Sequence, residues 1–434
     1  MSNLKTYQKP VEIQATAPNI SSDGGLVLLK SINSRQKLTH RFSKAITDKR
    51  SSCKHTVEKM LSQRVYGILM GWEDCNDFGE LASDPLYKLV LGSVPASQPT
   101  LSRLENAVCL ADVERMSKVL VDVFIDRHLA RPPKRVVLDI DATDDPTHGQ
   151  QEFDFYSNQY GCHCYVPLLV YGSCDGSPME ILASDLRPGS GHPVKDAPAL
   201  IRRIAEQIQE ALPRTEIVVR ADAGFFAPEM LQTCEDLGLK YLVGAQANAV
   251  LEREASDLMV KARAVRDQTD KAARMFGSFS YKANSWQHER RVIVKAEALP
   301  ARECARDPKA KDNTRFVVTN LGGDPEALYL LYCGRGECEN KIKEMKLDLS
   351  SGRTSCHSFS ANAFRLLLHA IAFVLMEFVR DHLSGHELAR STIGQIRLKL
   401  LKVAAIVEEA TRRILVRLPR GHPHVPLLMK LVTN

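Results

Sequence analysis

Two aspartates leave apolar, strand-like runs in the same way. Asp141 closes KRVVLDID and Asp222 closes TEIVVRAD. A carboxylate at the carboxyl end of a buried strand sits at the rim of the sheet, where open α/β folds build their sites. Two of them on neighbouring strands could share a divalent cation, and hard oxygen ligands suit Mg2+ or Mn2+. An aspartate in that position also commonly caps the next turn, so the pair gains weight only from what accompanies it. That is the stretch YCGRGECENKIKEMK, with Tyr332, Arg335, Glu339 and Lys346 at spacings of three, four and seven. On one continuous helix this spacing puts all four on a single face. Arg335 then stands one turn from Glu339 and can orient its carboxylate, while Lys346 lies two turns beyond, placed to meet a phosphate. Asp139 shares a strand face with Asp141 and is the alternative first carboxylate.

The elements that must position these residues are legible as periodicities. Val136, Leu138 and Ile140 alternate with Val137, Asp139 and Asp141, the period of a strand. Two more strand-like runs follow at 165–173 and 179–186. A helix is expected at 196–212 with Asp196 as its N-cap, then a strand at 215–222, a helix at 228–237 and a strand at 239–245. Three strands followed by alternating helices and strands suit a mixed α/β sheet. From about 246 to 330 the rhythm breaks: a charged helix-like stretch at 251–273 precedes MFGSFSYKA, ERRVIVKAEAL and TRFVVTNL, which together read as a β-rich insertion. Helix returns at 328–346, and 358–380 is a strongly apolar helix.

Upstream, amphipathic segments at 26–34, 55–71, 101–109 and 111–129 read as helices, with Ser51 or Thr56 capping the second and Pro99-Thr100 opening the third. Pro132-Pro133 marks a boundary. The tail mixes a helix near 397–410 with a strand at 412–418. The expected organisation is a helical domain over 1–131, a catalytic core over 132–375 holding the insertion, and a basic C-terminal region over 376–434.

Composition narrows the class. The chain has 434 residues, 44% hydrophobic and 25% charged, the profile of a soluble globular protein. The longest apolar stretches, such as LLLHAIAFVLM, are too short for a membrane span and carry a histidine. The N-terminus lacks an apolar signal core, so the expectation is a cytoplasmic protein. Eleven scattered cysteines suit reduced thiols, and neither Cys162–His163–Cys164 nor Cys333/Cys338 has the spacing of a structural zinc site. His148 and His163 are read as structural. The formal charge is +6, and from Arg380 onward ten Lys or Arg face four Asp or Glu, a basic tail that suits nucleic acid. A dinucleotide-binding GxGxxG and a P-loop are both missing, which argues against a nucleotide-dependent metabolic enzyme.

Tyr-x2-Arg-x3-Glu-x6-Lys resembles the YREK signature of one branch of DDE insertion-sequence transposases. DATDDPTHGQQ is similar to that branch's first-aspartate block, with Asp141 two residues before Thr143, and RADAGF to its second. The 117 residues from Asp222 to Glu339 leave room for that branch's insertion. The resemblance spans about 135–375, and more weakly SSDGGLVLLK. It implies a ribonuclease-H-like core with Asp141, Asp222 and Glu339 as catalytic residues and metal ligands. Two Mg2+ ions (Mn2+ substituting), about 4 Å apart, would run an in-line displacement at phosphorus. It further implies that Tyr332, Arg335 and Lys346 hold phosphates and that Trp286 stacks on a flipped base, packing within its own sheet being the alternative for that ring. Arg412, Arg413 and Arg417 are candidate DNA contacts. The implied partner is double-stranded DNA, both terminal inverted repeats and target, bound by a homodimer. A DNA-binding protein without activity and a cleavage-only nuclease are the competing readings.

Overall fold

The alternation in KRVVLDID builds the middle of a sheet. Val136, Leu138 and Ile140 enter one apolar core while Val137 enters another on the opposite face, so strand β1 (Arg135–Ala142) is covered on both sides. The computed structural model describes residues 3–4, 11–12, 14–16, 18–190, 194–300 and 311–433. In it β1 is joined by β2 (Leu168–Cys174), β3 (Glu180–Asp185), β4 (Glu216–Ala221), β5 (Lys240–Ala245), β6 (Ala273–Tyr281), β7 (Arg290–Ala298) and β8 (Asn313–Thr319). Their order across the sheet is β6-β7-β8-β5-β4-β1-β2-β3. β4 runs parallel to both β1 and β5, and every other pair in the sheet is antiparallel. The chain therefore has a mixed α/β fold.

Helices cover both faces. On one, α1 (Leu110–Leu129), α2 (Ala197–Ala211) and α3 (Pro228–Asp236) bury Phe124, Ile204 and Met230 among the residues of that core. The stripe Leu200, Ile201, Ile204, Ala205 and Ile208 is what fixes α2 there, each large member worth about 1.5–3 kcal/mol on full burial. Asp196 does stand at the N-cap of α2, but at φ 71° and with no side-chain cap bond. On the other face α5 (Pro325–Cys333) packs Leu328 and Tyr329 against Val137, Val218 and Leu242. Residues 246–330 supply α4 (Ser256–Thr269) and β6 to β8, and these strands extend the same sheet through the pairing of β8 with β5.

Three expectations are corrected. The continuous helix over 328–346 is two helices, α5 and α6 (Gly336–Asp348), broken at Gly334–Arg335. The break has a cause: the Arg220 guanidinium donates to the Leu331 carbonyl, and a Cβ on Gly334 would collide with that guanidinium. The segment 397–410 is not one helix either. Helical turns end at Leu401, and Ala405–Ala410 is a strand paired with Arg413–Arg417 and Ile20–Ser21. Helix α7 (Phe359–His382), finally, is 24 residues, long and apolar enough to cross a membrane by length and composition, and 94% of its most apolar window is buried inside the protein.

The chain divides into two compact units, 1–107 with 371–434, and 108–370, rather than at Pro132-Pro133 and 375. α1 belongs with the sheet because Val121 and Phe124 lie in its core. The C-terminal region is no separate domain. The amides of Gly24 and Gly25 donate to the carbonyls of Val403 and Leu401, Lys402 pairs with Asp23 at 2.8 Å, and Arg397 donates to the carbonyls of Leu69 and Ile68. A Cβ on Gly24 would lie 2.5 Å from the Val403 oxygen, so only a bare backbone fits.

Candidate active site

The parallel register of β1 and β4 pairs Asp139 with Arg220 and Ile140 with Ala221. The next residues along are Asp141 and Asp222, so the two carboxylates leave adjacent strands side by side, at the strand spacing of about 5 Å. Each also caps its own turn: Asp141 Oδ1 accepts from the Ala142 amide at 2.9 Å and Asp222 Oδ1 from the Gly224 amide at 2.8 Å.

Arg335 joins them to the third carboxylate. Its Nη1 donates to Asp141 Oδ2 at 3.1 Å and its Nη2 to Glu339 Oε1 at 2.8 Å. Burial pushes Asp141 up to about 6; Arg335 pulls it down, while Asp222 and Glu339 add repulsion. The Asp141 side chain is 14% exposed, whereas that of Glu339 is 47% exposed. An open cleft of about 330 Å³ runs beside both, lined also by Thr143, Ile342, Lys343 and Lys346.

Tyr332 comes from the other helix, α5. A Cβ on Gly244 of β5 would lie 2.5 Å from the Tyr332 hydroxyl and 3.0 Å from the Ala223 amide, which places that hydroxyl beside the backbone following Asp222. Burial raises the Tyr332 hydroxyl above its ordinary value. Lys346 is committed to the loop after β1: its Nζ donates to Asp144 Oδ1 at 2.8 Å, to the Asp144 carbonyl at 2.9 Å and to Thr143 Oγ1 at 3.2 Å. Against the burial that would raise it, Lys346 holds Asp144 below the usual carboxylate range.

Asp139 has a different position. Fully buried, it receives Arg220 Nε at 2.6 Å and Nη2 at 2.7 Å, one on each oxygen. Asp141 has no such bidentate partner and faces the cleft.

Among the described residues no three His, Cys, Asp or Glu side chains stand close enough to hold a metal ion together, and Arg335 donates to Asp141 on one side and Glu339 on the other. The donor chemistry nevertheless suits a hard divalent cation. Asp141, Asp222 and Glu339 all act on the single Arg335 guanidinium, so one positive charge faces three carboxylates.

Trp286 is 5% exposed, with Phe226 and Tyr281 edge-on to its ring and the Arg290 guanidinium 4.9 Å above it. The structure gives this ring the packing role, without an open face for a base. Arg412 and Arg413 are exposed on the C-terminal hairpin, while Arg417 pairs with Glu408 at 2.8 Å.

Sequence reasoning missed Arg220, whose signal was available: a guanidinium inside the buried run IVVRAD demands a buried partner. It also missed a second cleft of about 620 Å³ in the unit holding the N-terminus. Among the described residues Arg50, Lys54, His55 and Arg103 line it, and no carboxylate does. Those four residues are scattered in sequence and carry no motif.

Comparison with known proteins agrees with this chemistry. No curated protein matches the chain. A family model described as transposase DDE domain group 1 matches residues 4–434, and the chain belongs to that family. Membership suggests a transposase role and implies a nuclease or transferase enzyme acting on DNA, in a family that generally uses divalent metal ions.

Proposed function

We propose that this chain is the transposase of an insertion sequence, which cuts DNA at the element's ends and joins the freed ends to target DNA. The observation that carries this reading is the register that sets Asp222 beside Asp141, with Glu339 tied to the same point through Arg335. The sheet supports it further. β3-β2-β1-β4-β5, with β2 alone antiparallel among β1, β2, β4 and β5, is the order expected of a ribonuclease-H-like core. β6 to β8 fall between β5 and the helix carrying Glu339, the place of an insertion. The spacing of three, four and seven from Tyr332 through Arg335 and Glu339 to Lys346 supports the YREK branch.

In this reading Asp141, Asp222 and Glu339 hold two divalent ions, Mg2+ with Mn2+ able to substitute. When bound, such ions would supply Lewis acidity toward the scissile phosphate and its nucleophile, a water or a DNA 3′-hydroxyl. The protein's own groups do the positioning. Arg335 balances the carboxylates and presents its guanidinium edge to a phosphate, where planar donors bind bidentately. Tyr332 places a protonated hydroxyl beside the Asp222 turn. Lys346 fixes the Thr143–Asp144 loop, which keeps the end of β1 in place under a charged substrate. Asp139 takes no part in the chemistry: its pairing with Arg220 supports the strand that carries Asp141.

Double-stranded DNA is the partner, as both terminal inverted repeats and target. Two element ends must be held together for insertion, so the working form is a homodimer on DNA, in the cytoplasm at the nucleoid. Arg412 and Arg413 are exposed and suited to backbone contacts, which fix register without reading sequence.

The test uses labelled DNA carrying the element's ends, with Mg2+ or Mn2+, and compares the wild type with Glu339→Gln and Asp141→Asn. The wild type should cut and produce joined molecules, and both variants should bind without cutting. A wild type that binds but cuts under neither metal would leave only a DNA-binding protein.

A further inference from the structure

Lys346 holds the position that the YREK resemblance links to phosphate binding, yet its ammonium is already engaged. An ammonium has three protons to donate and no more. Those of Lys346 go to Asp144 Oδ1 at 2.8 Å, to the Asp144 carbonyl at 2.9 Å and to Thr143 Oγ1 at 3.2 Å. Its charge is answered by Asp144, and a DNA phosphate could recruit it only by releasing the loop after β1.

The cleft beside Asp141 and Glu339 holds a second lysine. Lys343 lines it together with Thr143, Ile342, Lys346 and Leu347. Lys343 is exposed, and among the described residues its ammonium has no hydrogen bond or ion pair. Arg335, the nearby guanidinium, already donates to Asp141 and Glu339. Among the described residues Lys343 is therefore the cation of this cleft whose charge no carboxylate answers.

Helix α6 sets its position. Lys343 follows Glu339 by four residues and precedes Lys346 by three, so the three side chains leave one face of the helix. Residues one turn apart have Cβ atoms about 5–6 Å from each other, and a lysine's flexible four-carbon stem adds reach along the cleft. The helix is fixed from behind. Cys338 and Met345 are fully buried, and the Tyr171 hydroxyl of β2 donates to the Met345 sulfur at 3.7 Å. Lys343 is thus a mobile charge on a rigid support, one turn beyond a candidate catalytic carboxylate.

Resting on the transposase reading above, we propose that Lys343, rather than Lys346, is the lysine of this helix that binds a DNA phosphate, the one flanking the scissile phosphate. In that reading Asp141 and Glu339 belong to the scissile phosphate itself. A cation one turn along the helix then meets the next phosphate of the same strand. There it offsets the repulsion between the DNA and the carboxylates, and it sets which bond of the strand comes to rest beside them. Lys346 acts at one remove: by holding Asp144 it keeps the end of β1 in place.

The test removes one phosphate charge at a time. Element-end duplexes carry one neutral methylphosphonate at successive positions around the cut, and binding is measured in Ca2+, which holds DNA without supporting cutting. At one flanking position the wild type should lose about ten-fold in affinity. Lys343→Met should reduce the slope of log affinity against log salt by about 1 on the unmodified duplex. It should also lose no more than about two-fold to the same methylphosphonate. Lys343→Arg should behave as the wild type, which ties the effect to charge rather than to folding. Lys346→Met should keep the wild-type methylphosphonate profile and unfold at lower urea concentration, because Asp144 loses its partner. A Lys343→Met profile that matches the wild type at every position would overturn the proposal. So would a flanking loss that disappears in Lys346→Met and persists in Lys343→Met. If the wild type binds no element-end duplex, the transposase reading fails first and the assignment of Lys343 with it.

Discussion

Removing Arg220 should be among the most damaging single changes to the sheet. Its side chain is 5% exposed, bonded to both oxygens of a fully buried Asp139, and it also caps the Leu331 carbonyl at 2.5 Å. Arg220→Met keeps most of the volume and deletes the charge, leaving a carboxylate without its partner between β1 and β4. Breaking one side of a buried pair typically costs about 3–5 kcal/mol. The stranded carboxyl escapes by taking a proton. Burial already pushes Asp139 up against Arg220's pull, and without that pull its folded-state pKa rises further above the unfolded value of about 3.9. For an acid raised in the folded state, stability is full below the unfolded pKa and falls as pH rises through the folded one. The Arg220→Met deficit should therefore be smallest near the acid end of the native range and largest in mild alkali. Replacing the pair together, Arg220→Met with Asp139→Leu, should recover most of the loss, because packed apolar substitutes for buried pairs are often neutral or better. Pulse proteolysis in urea at about pH 5 and about pH 8 reads the opening of the sheet unit without assuming that the whole chain unfolds in one step. A loss under about 1 kcal/mol at the higher pH, or one independent of pH, would refute the argument. The double variant also tests the site. If it folds and still cuts DNA, Asp139 is excluded as the first carboxylate.

Gly244→Ala should place a methyl 2.5 Å from the Tyr332 hydroxyl, costing about 1–3 kcal/mol of stability in urea unfolding and lowering cutting more than DNA affinity. Replacing Lys54 and Arg103 together by Ala should reduce the slope of log affinity against log salt by about 2, with cutting of the bound complex preserved; an unchanged slope would remove that cleft from the DNA path. Asp145 is 2% exposed with Oδ1 unbonded, and burial raises it to about 6. Its contribution is thus full below about pH 4 and declines as pH rises to about 6, so Asp145→Asn should flatten the stability profile across that window.

The chemistry of the candidate site was legible where it depended on local relations. A strand period identified β1 and an apolar run β4, and their carboxyl ends put Asp141 and Asp222 at the rim. The four-residue step from Arg335 to Glu339 is also local, and the pair forms at 2.8 Å even though Arg335 stands at the N-cap of α6 rather than inside a longer helix. Tyr332 is a different case. Its spacing placed it on the Glu339 face of a helix that does not run through, and it reaches the site by the packing of α5 on β5. That route depends on two positions without a Cβ, Gly244 and Gly334, and on Arg220 arriving from β4. No window of sequence contains all of these residues.

The same distinction explains the domain boundaries and the basic tail. Pro132-Pro133 is a true local break, but a break in secondary structure separates units only if few contacts cross it, and the buried face of α1 commits that helix to the sheet. Counting charges from Arg380 treated every cation as available to a polyanion. The structure assigns Lys402 to the buried Asp23 and Arg397 to two carbonyls at the end of the helix Val57–Met70. A charge that satisfies a buried carboxylate or a helix's terminal carbonyls adds to the formal sum yet little to the field outside. The exposed cations Arg412 and Arg413 lie in the tail, whereas Lys54 and Arg103 lie far from it in sequence and share no motif with it. Net charge is therefore only compatible with a polyanionic partner, and it takes the pairing of individual ions to say which cations remain to meet one.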